Sequence, residues 1–253
     1  MYRGFKLNFD DNQLFTSDHI GFGTSIYKGY ANNFVNKFQQ IIDTDKSIDG
    51  TGIQKAWFPN VKADIFISHS HKDTQLALQL AGWLKDSLNV NSFVDSVVWQ
   101  NGDELIKHLS GKMYGKAIDL VTSSQRDIVS GHAHMMLASA ITSMMDNCES
   151  TFFLNTPSSL KLTDGNTTTR SPWLYYEIGQ SQFIRKRVPP RFQVSRERFF
   201  ALSESIEKAM DLEYQVTLSH FAEINASTLR SWWRRYQQVG GNSMDALYDL
   251  FQS

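Results

Sequence analysis

Residues Ala63–Asp73 read ADIFISHSHKD, and within them Ile65, Phe66 and Ile67 are apolar with no polar residue between them. A strand without alternation has to be buried on both faces, which is the environment of a parallel sheet covered by helices. The segment that follows supplies such a helix. Asp73 suits its N-cap, and Leu76, Leu80, Leu84 and Leu88 recur every four residues, giving it one apolar face. A buried strand that ends in a polar loop and leads into a helix is the unit of α/β folds, in which ligands gather at the carboxyl ends of the strands. Ser68, His69 and Ser70 therefore lie where a ligand would be met.

The rest of the chain continues the alternation. A second strand is expected over Phe93–Val98, followed by a polar segment from Gln100 to about Leu109, an ambiguous AIDLV stretch at Ala117–Val121 and a helix through Met135–Met145. Thr151–Leu154 reads as a third strand. Ser171 and Pro172 suit the N-cap and first position of another helix. Beyond it the spacing predicts a helix near Phe199–Met210, a strand at Tyr214–Leu218, and helices over Leu229–Gln238 and Met244–Phe251. The expected class is α/β, flavodoxin-like, with a mostly parallel sheet and helices on both faces. Residues 1–60 are polar and aromatic, with a helix expected over Tyr30–Ile42 and a break at Asp49-Gly50-Thr51-Gly52. They read as an N-terminal extension packed on a main domain of residues 61–253.

Composition excludes several roles. The chain of 253 residues carries 25 Lys and Arg against 26 Asp and Glu, a net charge of -1, so no global field draws in nucleic acid or an anionic membrane. The basic clusters Arg185-Lys186-Arg187 and Trp232-Trp233-Arg234-Arg235 read as solvated charge, with the second cluster's aromatics at packing positions. Cys148 is the single cysteine, which rules out an internal disulfide framework and a thiolate metal centre. No run approaches the roughly 20 apolar residues that cross a bilayer, and a soluble cytoplasmic protein is expected.

Two arrangements of side chains carry chemistry. Trp173 and Glu177 are four residues apart and share a helix face, which sets an aromatic plane beside a carboxylate. The polar loop offers a different one, since His69, His71 and Asp73 spell H-x-H-x-D, the pattern of metal-dependent hydrolases in which two histidines and an aspartate bind metal. That pattern normally continues with a histidine, and here position 74 is Thr. His132, His134 and His220 are the other imidazoles considered as ligands, but His132 and His134 sit two apart in an expected helix and point in different directions.

DIFISHSHKD at Asp64–Asp73, FVDSVVW at Phe93–Trp99 and SPWLYYE at Ser171–Glu177, in that order, resemble the Toll/interleukin-1 receptor (TIR) domain family, its bacterial members above all. The resemblance spans roughly Ala63–Gln252, is weakest between Gln100 and Ser150, where the chain is longer than a minimal TIR domain, and leaves out residues 1–60. It implies a flavodoxin-like sheet and cleavage of the nicotinamide–ribose bond of NAD+, an NAD+ nucleosidase activity with cyclisation possible, and no cofactor beyond NAD+ as substrate. Glu177 corresponds to the family's essential glutamate and Trp173 to its tryptophan one turn earlier. Ser68, His69 and Ser70 would border the nucleotide, with Asp95 and Trp99 beside the family's mobile loop. Self-association through TIR domains, a downstream effector protein and a part in antiviral defence by NAD depletion or nucleotide signalling are further implications. The alternative within the family is a non-catalytic adaptor acting through TIR–TIR association.

Overall fold

Ile65–Ser68 forms a strand with all four residues buried, as its unbroken apolar run requires. In the computed structural model, which describes residues 2–9, 14–27, 49–99, 102–163, 166–192 and 213–251, this strand is β2 of a five-stranded sheet. Its neighbours are β1 (Arg3–Asn8), β3 (Ser92–Phe93), β4 (Ser150–Asn155) and β8 (Ala222–Ile224), in the order β3-β2-β4-β1-β8, and every pairing is parallel. Around it run α1 (17–27), α2 (Gly50–Trp57), α3 (Thr74–Leu88), α4 (Asp95–Val98), α5 (Gly102–Tyr114), α6 (Ser123–Asn147), α7 (Pro172–Phe183), α8 (Ala226–Val239) and α9 (Ser243–Asp249). The antiparallel strands β5 (Lys161–Thr163), β6 (Asn166–Thr169) and β7 (Tyr214–Gln215) make a separate small sheet.

The fold is therefore α/β with a parallel sheet flanked by helices. Adjacent residues of β4 show how both faces are filled. Phe152 meets Phe5 and the Trp232 ring of α8, while Phe153 meets Phe221 and joins the cluster of Leu174 and Ile178 from α7. Successive side chains of a strand point to opposite faces, so α8 and α7 cover opposite sides. Each fully buried large apolar side chain contributes about 1.5–3 kcal/mol through removal from water.

The N-terminal segment departs from the expected extension. β1 lies between β4 and β8, in register from Arg3 opposite Ser150 to Asn8 opposite Asn155. Counted from β2, the sheet follows the flavodoxin-like order, with β1 in the fourth position. Residues 3–8 are an interior strand because Phe5 and Leu7 are buried on the face that packs on Phe152, Tyr248 and Phe251. The helix at 17–27 also crosses α3 in backbone contact: a Cβ on Gly23 would lie 2.2 Å from the Leu78 carbonyl oxygen, and one on Gly82 2.2 Å from that of His19. Asp49 caps α2 by accepting from the Gly52 N–H, so the expected break at residues 49–52 is a helix start. The helices expected over Tyr30–Ile42 and near Phe199–Met210 lie outside the described residues.

Other elements follow their patterns with shifted limits. Leu80, Leu84 and Leu88 are buried on α3, with Leu76 half-buried at its start. The strand expected over Phe93–Val98 stops at Phe93, and Asp95–Val98 turns instead into α4, with the Val98 and Trp99 N–H groups bonded to the Val94 and Asp95 carbonyls. Among the described residues β3 is an edge strand paired with β2 alone, so the apolar residues after Phe93 have no second described strand to pair with and close on themselves. The polar segment after residue 101 is the helix α5, and Tyr214–Gln215 is shorter than the strand expected to Leu218.

Candidate functional site

β2 and β3 end side by side, and the residues just past them face the first turns of α7 across a cavity of about 480 Å3. Ser171 caps α7 by accepting from the Leu174 N–H, and Pro172 takes its first position, so the helix begins at the rim. One turn carries the wall inward from Trp173 to Glu177, and both line the cavity. Leu174 and Ile178, on the adjoining face of the same turns, anchor α7 to Phe153. Packing of an apolar helix face thus drives a carboxylate to the cavity floor.

Glu177 is only 3% exposed. Its carboxylate accepts from Ser68 Oγ at 2.5 Å, which links the end of β2 to α7. Burial holds the Glu177 carboxyl well above the usual carboxylate range, the Asp95 carboxylate adds to this by repulsion, and the Ser68 hydrogen bond pulls the other way. A carboxyl whose folded pKa exceeds its unfolded value binds an extra proton in the native state, so it favours folding at low pH and loses that contribution as pH rises through the folded value. Glu177→Gln removes the buried charge, and the variant should melt higher than wild type at about pH 8, with the difference vanishing at about pH 4. Thermal denaturation followed at the two pH values would show a difference of the opposite sign if Glu177 were instead held ionised by an unseen partner.

The loop after β2 divides into parts with different tasks. His69 is buried with both ring nitrogens engaged, Nδ1 facing the Ile67 carbonyl oxygen at 3.1 Å and Nε2 the Ser96 hydroxyl at 2.8 Å. Asp95 Oδ1 lies 3.6 Å from the same Nδ1, which therefore faces two oxygen atoms. His69 is thus a brace between the ends of β2 and β3. Ser70 caps a single 3-10 turn by accepting from the Lys72 N–H and is not among the lining residues. Asp73 accepts from Thr156 Oγ1 at 2.5 Å, and among the described residues no three His, Cys, Asp or Glu side chains converge as metal ligands. Among the described residues the H-x-H-x-D spacing does not converge, because His69 is turned to Ile67 and Ser96 and Asp73 to Thr156.

Asp95, Ser96 and Trp99 line the cavity from the second strand's end. Trp99 is buried edge-on against Phe58 and Phe93, and its Nε1–H donates to the Pro59 carbonyl, so it presents a fixed apolar wall. Of the seven residues singled out in the sequence, Ser68, His69, Asp95, Trp99, Trp173 and Glu177 come together, and Ser70 is not among the lining residues. Tyr176 holds α7 to α6 through its hydroxyl, which meets Thr142 Oγ1 at 2.7 Å and the Ala138 carbonyl at 3.1 Å.

The opposite wall is α6, where His134, Leu137 and Ile141 line the cavity. These are spaced three and four apart, so they fall on one stripe of the helix and could be found by extending its periodicity toward the N-terminus. His134 meets Trp173 edge-on at 5.7 Å between ring centres. His71 and Asp103 complete the polar lining. No helix among the described residues is long and apolar enough to cross a membrane. No protein-family model, curated protein or solved structure matches this chain.

Proposed function

We propose that this cavity binds NAD+ and cleaves its nicotinamide–ribose bond, with Glu177 as the catalytic carboxylate, in the manner of the NAD-cleaving TIR domains that the sequence resembles. The observation that carries the reading is Glu177 itself, buried on the cavity floor, tied to Ser68 and one helical turn below Trp173. The leaving nicotinamide of NAD+ is already cationic, so breaking its bond to ribose needs no general acid. The bonding pair departs with the ring, neutral nicotinamide leaves, and positive charge develops on the ribose. One preorganised carboxylate in a poorly solvated site stabilises that charge. Water then adds to the ribosyl cation and loses a proton, giving ADP-ribose; an internal nucleophile at the same carbon would give a cyclic product. Trp173 and Trp99 supply apolar surface for the flat ring, and the single-carboxylate site differs from the paired acid and base of ordinary glycosidases.

Purified protein incubated with NAD+ should release nicotinamide, resolved chromatographically from ADP-ribose and any cyclic product. Protein that releases none, even when concentrated enough to self-associate, would place the chain with the non-catalytic adaptors, and loss of activity on adding a chelator would point to metal chemistry instead. A role in antiviral defence, by depleting NAD+ or by producing a nucleotide signal for an effector protein, belongs to this same proposal.

Because the ionised form of Glu177 is the one that stabilises the cation, kcat/KM should rise with pH along an acid limb set above ordinary carboxylate values. Ser68→Ala removes a hydrogen bond that lowers this pKa, so its limb should move to higher pH, with about 10-fold lower kcat/KM at neutral pH. A Ser68→Ala profile that is merely scaled down, with its limb unmoved, would show that Ser68 does not act through Glu177.

A further inference from the structure

The charge inventory of the cavity is one-sided. Asp95, Asp103 and Glu177 line it, and among the described lining residues there is neither Lys nor Arg. Only His69, His71 and His134 are left to face an anion there. His69 is committed, with one ring nitrogen on Ile67 O and the other on Ser96 Oγ. The rings of His71 and His134 have no hydrogen-bond partner among the described residues; His71 is engaged only through its backbone carbonyl and His134 only by edge contact with Trp173. Both side chains are exposed at the cavity, so each can turn a nitrogen to a ligand without breaking an existing bond.

We propose that His134, together with His71, is the anion-recognising part of this cavity and holds the diphosphate of a dinucleotide ligand. The identity of that ligand rests on the NAD+ reading above. A histidine in place of arginine makes the grip conditional, because an imidazole can be neutral or charged whereas a guanidinium is always charged. Around them the charged groups are Asp95 from α4, Asp103 from α5, Glu177 from α7 and Lys72 beside His71, while α6 contributes His134 itself. The acidic members repel a diphosphate and leave its binding dependent on the two imidazoles. His134 has a second effect through Trp173, since a ligand that draws its ring inward also fixes the indole that borders Glu177.

The probe is ADP-ribose, whose diphosphate diester keeps the same charge across the pH range used, with uncharged adenosine as the control. Calorimetry in the Glu177→Gln background removes the titration of that carboxyl, which would otherwise also weaken anion binding at high pH. ADP-ribose should bind about tenfold more tightly at about pH 6 than at about pH 8. Adding His71→Ala and His134→Ala should remove that difference and leave adenosine affinity unchanged. The proposal is overturned if ADP-ribose does not bind, if its pH dependence survives in the triple variant, or if adenosine affinity falls in parallel. Wild-type protein that fails to cleave NAD+ while the pH-dependent binding holds would remove the catalytic reading and leave this one standing. Normal cleavage with histidine-independent binding would do the reverse.

Discussion

Glu177→Gln is expected to reduce kcat/KM for NAD+ by about 10³-fold, with nicotinamide release falling to near background. Glutamine keeps the size of the side chain and can still meet Ser68 Oγ, now as carbonyl acceptor or amide donor, so the cavity wall should be preserved. What disappears is the negative charge, and at a residue only 3% exposed a charge acts with little screening by water. Loss of activity cannot then be blamed on unfolding, because the same substitution relieves an unfavourable buried charge and should raise thermal stability near neutral pH. Equal nicotinamide release by wild type and Glu177→Gln would remove Glu177 from the chemistry.

Phe5→Ala should destabilise the protein by about 3–5 kcal/mol, read from the denaturant midpoint at unchanged slope. Phe5 has no exposed surface and sits in the middle of an interior strand, in contact with the rings of Phe152, Tyr248 and Phe251. Truncation leaves a void that a parallel sheet paired on both sides cannot collapse to fill. Since β1 separates β4 from β8, the penalty should appear in a single cooperative transition. A loss below about 1 kcal/mol, or a separate early transition, would mean that residues 3–8 are an appended segment.

The elements legible in the sequence were those whose burial repeats locally. Ile65-Phe66-Ile67 has no polar residue between its members, the leucines of α3 return at helical spacing, and Ser171-Pro172 marks a helix start by local capping chemistry alone. Harder were segments whose conformation depends on a neighbour. Phe93–Val98 looks like one apolar strand, yet only Ser92 and Phe93 have β2 to pair with. Arg3–Asn8 gives no sign of being interior, because its alternation fits an edge as well as a centre, and its two neighbours come from residues 150–155 and 222–224.

The candidate site divides in the same way. Trp173 and Glu177 sit one helical turn apart, and that spacing alone places them on one face. That Glu177 is buried, that Ser68 donates to it, and that Asp95 stands near enough to raise its pKa depend on β2, β3 and α7 meeting at one corner of the sheet. The same meeting turned His69 and Asp73 away from a shared metal and brought His134 from α6 to the cavity wall. By itself the sequence determined the α/β class, the strand–helix unit at Ala63–Leu88 and the helix carrying the tryptophan and the glutamate, since each rests on periodicity or capping within a few residues. Tertiary structure alone decided the strand order with β1 inside it, the protonation bias of Glu177 and the company it keeps, because burial and electrostatic coupling are set by residues far away in the chain.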